Sequence, residues 1–149
     1  NFRRVIEEWQ DWNAARKAGF ILGLESLWYE MTDLAYKKAK DRAIKRWFEA
    51  GVWFAKRYVT SEEDNPFDVF KKDLEIFSLN IPEFTVEKSG DTVSIRAISP
   101  RLPESYTAVF EVFLEGALDV FGYNIEEREV SVGTVRLKGI RRGKSGKGK

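Results

Sequence analysis

Residues 105–121 constrain the fold more than any other part of the chain, because they predict a helix that is apolar on nearly every side. Its only charged residues, Glu111, Glu115 and Asp119, recur every four positions and would form one narrow polar stripe. Such a helix must be covered on several faces by the rest of the protein. Gly116 lies beside the stripe, where it predicts the close approach of another backbone.

The absence of two residue types excludes several classes of chemistry. The 149 residues include no cysteine and no histidine, which rules out disulfides, thiolate or imidazole metal sites, and Ser-His-Asp or Cys-His catalysis. Hydrophobic residues make up 43% and charged residues 33%, with the two signs nearly balanced, as is typical of a globular domain. No apolar run is long enough to span a membrane and no signal-peptide pattern is present, so we expect a cytoplasmic protein without a cofactor.

The end of the chain, residues 141–149, carries five positive charges and no negative charge. Gly143, Lys144 and Ser145 copy the end of a phosphate-binding loop, but the spacing from Gly139 is one residue short and no helix can follow. We therefore predict a disordered basic tail. Aromatic residues are not interleaved with basic ones as a single-strand-binding face requires, so nucleic-acid binding is not expected.

The N-terminal part of the chain predicts a helix followed by a strand. Residues 1–19 form an amphipathic pattern in which Trp9 and Trp12 either cover the body of the domain or contact a second subunit. Residues 18–24, AGFILGL, are a short apolar run with glycines at both ends, which predicts a buried strand.

The pattern from residue 26 to residue 59 predicts two helices, or one bent helix, with a polar interruption near Ala39. The second of these helices is apolar over much of its circumference. We therefore expect the body of the domain to cover one face and a ligand or partner to cover another. Asn65 and Pro66 then predict a helix start, with a side-chain cap followed by proline at the first helical position.

The second half of the chain predicts two hairpins around the central helix. Apolar residues alternate with polar ones over residues 83–97 and again over 123–140, with Gly90 and Gly133 at the turns and Gly122 at the end of the helix. This order predicts an α+β domain in which several helices pack on an antiparallel sheet. Strands and helices do not alternate as a doubly wound parallel sheet requires.

The order of these segments resembles that of the 4-vinyl reductase domain family, small archaeal and bacterial proteins often called hydrocarbon-binding proteins. The resemblance covers residues 20–140, which would form the domain proper, and is strongest in FLEGALDVFGYNIEEREV. There a glycine-bearing apolar helix leads directly into a Gly-Tyr turn and an acidic strand. The fold of the family is similar to that of Bet3-type trafficking subunits and heme nitric-oxide-binding domains.

The resemblance implies a ligand-binding or sensory module with an apolar cavity under the sheet and a tendency to form homodimers through helices. Members of the family often carry cysteines that look able to hold a metal, before the central helix, in the following strand and near the end. The corresponding regions here read Thr107-Ala108, Val130-Ser131 and Arg136-Leu137. A metal site of that kind, or a heme held by histidine, is therefore excluded.

Two helices carry more apolar surface than one sheet face can cover, and this excess predicts the lining of a cavity for an apolar or aromatic small molecule. The expected ligand-binding residues are Trp47, Gly51 and Phe54 on the second long helix, with Phe110, Phe113, Leu114 and Ala117 on the central one. Aromatic stripes also fill ordinary cores, so the alternative is a dimerisation or adaptor module with a fully packed interior. Its partner would contact Trp9, Trp12 and Trp53.

A third hypothesis is an enzyme that uses carboxylates. Glu127 and Glu129 fall on one face of a predicted strand, where such a pair can share a metal or divide acid and base roles. A solvated sheet face explains them as well, because glutamate is rarely buried. We therefore expect no catalytic and no metal-binding residues.

Overall fold

The computed structural model describes residues 2–143, in which five helices accompany one four-stranded sheet. The elements are α1 (Phe2–Lys17), α2 (Glu25–Lys38), α3 (Lys40–Val59), α4 (Pro66–Phe77), β1 (Glu83–Ser89), β2 (Thr92–Ile98), α5 (Glu104–Val120), β3 (Tyr123–Ser131) and β4 (Thr134–Arg141). Of the predicted disordered tail, Arg141 is instead the last residue of β4, and Arg142 donates a hydrogen bond to Asp119 at 2.9 Å. Residues 144–149 lie outside the described residues. Within the described ones, no helix is both long enough and apolar enough to pass through a bilayer.

The strands form one antiparallel sheet in the order β1-β2-β4-β3. Each hairpin turns at a glycine with a positive φ, 59° at Gly90 and 80° at Gly133, as the left-handed backbone of tight turns requires. A Cβ at Gly133 would also lie 2.6 Å from the carbonyl oxygen of Ser99. The five helices and the single antiparallel sheet confirm the predicted α+β class.

The predicted central helix is α5, and it is largely buried as its composition requires. It ends before Gly122, whose φ of 88° stops the helix. Its apolar side chains join those of α3, α4 and the inner face of the sheet in one core. The largest fully buried members of that core are Tyr123, Phe70, Ile95, Leu102, Leu114 and Leu118.

The helices α3 and α5 touch backbone to backbone through two glycines. A Cβ built on Gly51 would lie 2.0 Å from the carbonyl oxygen of Phe113, and one on Gly116 would lie 2.3 Å from that of Phe48. Either contact is far shorter than any side-chain carbon tolerates, so only glycine allows this approach. The expected role of Gly116 is confirmed, and Gly51 is its counterpart.

The predicted strand over residues 18–24 is wrong. Ala18 ends the α1 turn, and residues 20–24 form a loop without regular structure that leads directly into α2. Ile21 and Leu22 are 69% and 81% exposed, while Phe20 packs inward on Phe77 at 4.5 Å between ring centroids. A short apolar run forms a buried strand only where a sheet edge is available to pair with it. This loop lies beside helices instead.

The remaining helix predictions are confirmed with small corrections. A break at Ala39 separates α2 from α3, in agreement with the polar interruption. Pro66 begins α4, but the side chain of Asn65 makes no capping hydrogen bond. Among the α1 side chains that the structure describes, Ala15 is the buried one, and Trp9 is 64% exposed.

Candidate functional site

An apolar cleft lies between the loop after α1 and the helices α2, α3, α4 and α5. Its volume of about 420 Å³ falls at the lower end of the range of about 300–1,000 Å³ that is usual for small-molecule sites. Most of its wall is aromatic, from Phe20, Trp28, Tyr29, Trp47, Phe54, Phe77, Tyr106, Phe110 and Phe113. Within residues 2–143 no strand residue lines it, so the cleft lies among the helices and not under the sheet, where the resemblance places a cavity.

The aromatic rings of the wall pack on one another. The ring centroid of Phe54 lies 5.7 Å from that of Phe20 and 6.0 Å from that of Phe113. Phe113 stacks on Phe110 at 6.3 Å. Aromatic pairs are favourable at centroid distances of about 4.5–7 Å, so the wall is held in shape by contacts that need no ligand.

Four of the seven predicted ligand-binding residues line this cleft. Trp47 and Phe54 reach it from α3, and Phe110 and Phe113 reach it from α5. The two helices that were expected to form a cavity therefore do meet at one apolar space.

The other three predicted residues, Gly51, Leu114 and Ala117, do not line the cleft. A Cβ at Gly51 would lie 3.1 Å from the backbone nitrogen of Ala117, in the contact between α3 and α5. Leu114 is fully buried in the core. These residues share helix faces with the cleft residues, but at their level the two backbones touch and leave no space.

Several cleft residues were not predicted. Tyr106 lies four positions before Phe110, and Phe77 lies three after Leu74, so the helical spacing that selected Phe110 applies to both. What the spacing does not show is that α4 and the loop at Phe20 close the space between α3 and α5. Only the tertiary structure brings them together.

The polar side chains that line the cleft are few: Ser78, Asn80, Glu25 and the hydroxyls of Tyr29 and Tyr106. Glu25 is the one charged residue in its lining among those the structure describes. Both of its oxygens are engaged, one by Arg101 and the other by the Tyr29 hydroxyl, which donates to it at 2.9 Å. Burial raises the pKa of Tyr29 and of Tyr106, so both phenols are protonated at neutral pH.

No family model, curated protein or solved structure matches the chain. The resemblance to the 4-vinyl reductase family therefore stays a prediction that rests on sequence alone.

The carboxylates proposed for an enzyme lie away from the cleft. Glu127 and Glu129 project from the outer face of the sheet, exposed and paired with Lys138 at 3.7 Å and Arg136 at 2.9 Å. Among the described residues, no group of three or more acidic side chains is arranged to hold a metal ion. These two glutamates therefore belong to a row of exposed ion pairs on the surface of the sheet.

A second carboxylate pair lies between α5 and β3, with Glu111 buried and Glu115 partly exposed. Glu111 is only 5% exposed, and one of its oxygens lies 3.6 Å from the guanidinium of Arg128. Arg128 makes two hydrogen bonds of 2.8 Å to Glu115 instead. Burial, together with the neighbouring Glu115, raises the pKa of Glu111 to about 8. Because Arg128 links this pair on α5 to β3, we assign it to the packing of α5 on the sheet.

Proposed function

We propose that the protein is a noncatalytic cytoplasmic module that binds an apolar or aromatic small molecule, as its resemblance to the 4-vinyl reductase family implies. The observation that carries the proposal is the aromatic cleft between α3 and α5. Ligand sites are concave, mostly apolar spaces with a few polar groups, and this cleft has that composition.

The proposal predicts that the two tryptophans of α3 differ in their effect on binding. Trp47 lines the cleft, whereas Trp53 is 59% exposed elsewhere on the same helix. Trp47→Ala removes an aromatic wall and should weaken the binding of N-phenylnaphthylamine, an uncharged fluorescent probe, about tenfold or more, because burying a large apolar side chain is worth about 1.5–3 kcal/mol. Trp53→Ala should change the Kd less than about twofold.

Fluorescence titration measures both constants, and mass spectrometry of protein purified under mild conditions shows whether an apolar compound is carried along. Equal losses in the two variants, or no binding by the unmodified protein, would contradict the proposal.

A second proposed function is homodimerisation, for which α2 provides a specific observation. Leu27, Met31 and Leu34 recur at helical spacing and are all about half exposed, so the described chain covers the apolar stripe of α2 only in part. The helix is acidic at Glu30 and basic in its last turn at Lys37. Two copies of α2 packed antiparallel about a two-fold axis would therefore match apolar stripe to apolar stripe and each acidic half to a basic end.

Sedimentation equilibrium at micromolar concentrations should give twice the mass of one chain. A single-chain mass throughout that range would reject the dimer without affecting the proposed ligand site.

A further inference from the structure

Tyr106 occupies a central position in the aromatic wall of the cleft. Its ring centroid lies 4.8 Å from that of Tyr29 and 5.4 Å from that of Trp47, both edge to face, and it stacks on Phe110 at 6.3 Å. Three neighbouring rings therefore fix its side chain in one orientation.

The hydroxyl of Tyr106 makes no hydrogen bond to any residue in 2–143. The other phenols on the same side of the core are engaged: Tyr29 donates to Glu25 at 2.9 Å, and Tyr58 donates to Asp73 at 2.7 Å. The Tyr106 side chain is only partly buried, so its hydroxyl is open to water, and an acceptor on a bound molecule would take the place of that water. Because burial raises its pKa, the Tyr106 hydroxyl keeps its proton and can donate it.

The charge of the lining limits the ligand further. No lysine or arginine lines the cleft within the described residues, and Glu25 is already engaged by Arg101. An anionic ligand would therefore lose its water without gaining a counter-charge, and a cation would have to displace an existing ion pair.

Resting on the function proposed above, we propose that the cleft takes uncharged aromatic compounds that carry a hydrogen-bond acceptor oxygen, such as an aryl ketone, and that Tyr106 is the specificity-determining donor to that oxygen. A volume near 420 Å³ suits a compound of about one to three rings.

Three probes of nearly equal shape separate the parts of this inference: acetylnaphthalene, which carries the acceptor, isopropenylnaphthalene, which lacks it, and naphthoate, which is charged. Their Kd values can be measured by quenching of tryptophan fluorescence, because Trp28 and Trp47 line the cleft. Naphthoate should bind the unmodified protein at least about tenfold more weakly than acetylnaphthalene.

Tyr106→Phe removes only the unpartnered oxygen, so the fold should be retained. It should weaken acetylnaphthalene about five- to tenfold, the size of one net hydrogen bond, and change isopropenylnaphthalene less than about twofold. Tyr29→Phe is the matched control, because its hydroxyl is committed to Glu25, and it should not lower the preference for the ketone.

An equal effect of Tyr106→Phe on the ketone and the hydrocarbon overturns the role of Tyr106, and tight binding of naphthoate overturns the requirement for an uncharged ligand. Both results leave the proposed function standing. Failure of all three probes to bind the unmodified protein overturns the proposed function and this inference with it.

Discussion

Glu111 is more deeply buried than its position in the polar stripe of α5 predicts. It belongs to the polar stripe of α5, yet it is buried against β3, where Arg128 satisfies Glu115 in preference to it. One oxygen of Glu111 is fully buried and makes no hydrogen bond within the described chain. Protonation is the simplest way for such a carboxyl to avoid a buried charge, which accounts for its raised pKa.

The raised pKa predicts how stability depends on pH. Because the folded protein holds the Glu111 proton up to a pKa of about 8, and the unfolded chain releases it at the ordinary value of 4.5, the free energy of unfolding should fall as the pH rises between these values. Glu111→Gln cannot lose a proton and should flatten this fall. Near pH 8 the variant should be more stable than the unmodified protein by about 1–2 kcal/mol, reduced from the full effect by the partly exposed Glu115 and Arg128.

Urea unfolding across the same pH interval measures this change. Glu127→Gln, at an exposed site on the adjacent strand, is the control and should leave the pH profile as it is. Retention of the full slope in Glu111→Gln would show that Glu111 is ionised in the folded protein.

At the scale of elements, the contact between α3 and α5 sets the width of the cleft. Gly51 and Gly116 bring the two backbones together at one level, and large aromatic residues about one turn away on the same helices line the cleft. The cleft therefore opens where small residues give way to Trp47 and Phe113.

This contact predicts an unusual sign for a glycine substitution. In an ordinary helix interior Gly→Ala stabilises by about 1 kcal/mol, but Gly116→Ala would place a Cβ 2.3 Å from the Phe48 carbonyl oxygen. We expect it to destabilise the protein by roughly 2–4 kcal/mol, as overpacking against rigid backbone does.

Thermal or denaturant unfolding tests this, with Gly90→Ala as the control. At Gly90 nothing lies within 4 Å, so its substitution should cost only about 1 kcal/mol for the positive φ of 59°. An increase in stability in Gly116→Ala would mean that the two helices are farther apart.

The strand β3 contains a β-bulge that its sequence pattern does not predict. The register shifts between Ile125 and Glu127, so Glu126 is an extra residue and the inward and outward positions exchange after it. Without the bulge, strict alternation from the buried Tyr123 would point Glu127 inward. With it, Glu127 faces solvent and Arg128 turns towards α5, where it reaches Glu115.

At the scale of the whole molecule, exposed apolar side chains are unevenly distributed. Most of them lie before residue 60, on α1, the following loop, α2 and α3, while the sheet side is covered by charged residues. Leu27 on α2 and Leu79 before β1 are both exposed, but only Leu27 belongs to the proposed dimer surface.

The dimer therefore predicts different effects for the same change at these two sites. Leu27→Glu should raise the dimer dissociation constant by a factor of about ten or more, because it places a charge in an apolar interface. Leu79→Glu should leave the mass in sedimentation unchanged. Equal behaviour of the two variants would place the dimer contact elsewhere.

The amino-acid sequence determined the parts of this protein that follow from local periodicity. The apolar circumference of α5, the break near Ala39, the two hairpins and the glycine turns at Gly90, Gly122 and Gly133 all depend on spacing within one segment, and the α+β class follows from their order. The choice of Trp47, Phe54, Phe110 and Phe113 also came from spacing.

Only the tertiary structure decided which apolar surfaces meet. It left the run at Ile21 and Leu22 as an exposed loop, closed Gly51 and Ala117 into a backbone contact, and brought Phe20, Phe77 and Tyr106 to one cleft. Periodicity shows which face of an element is apolar, but whether that face meets a backbone, a ring, a ligand or water depends on residues far away in the chain.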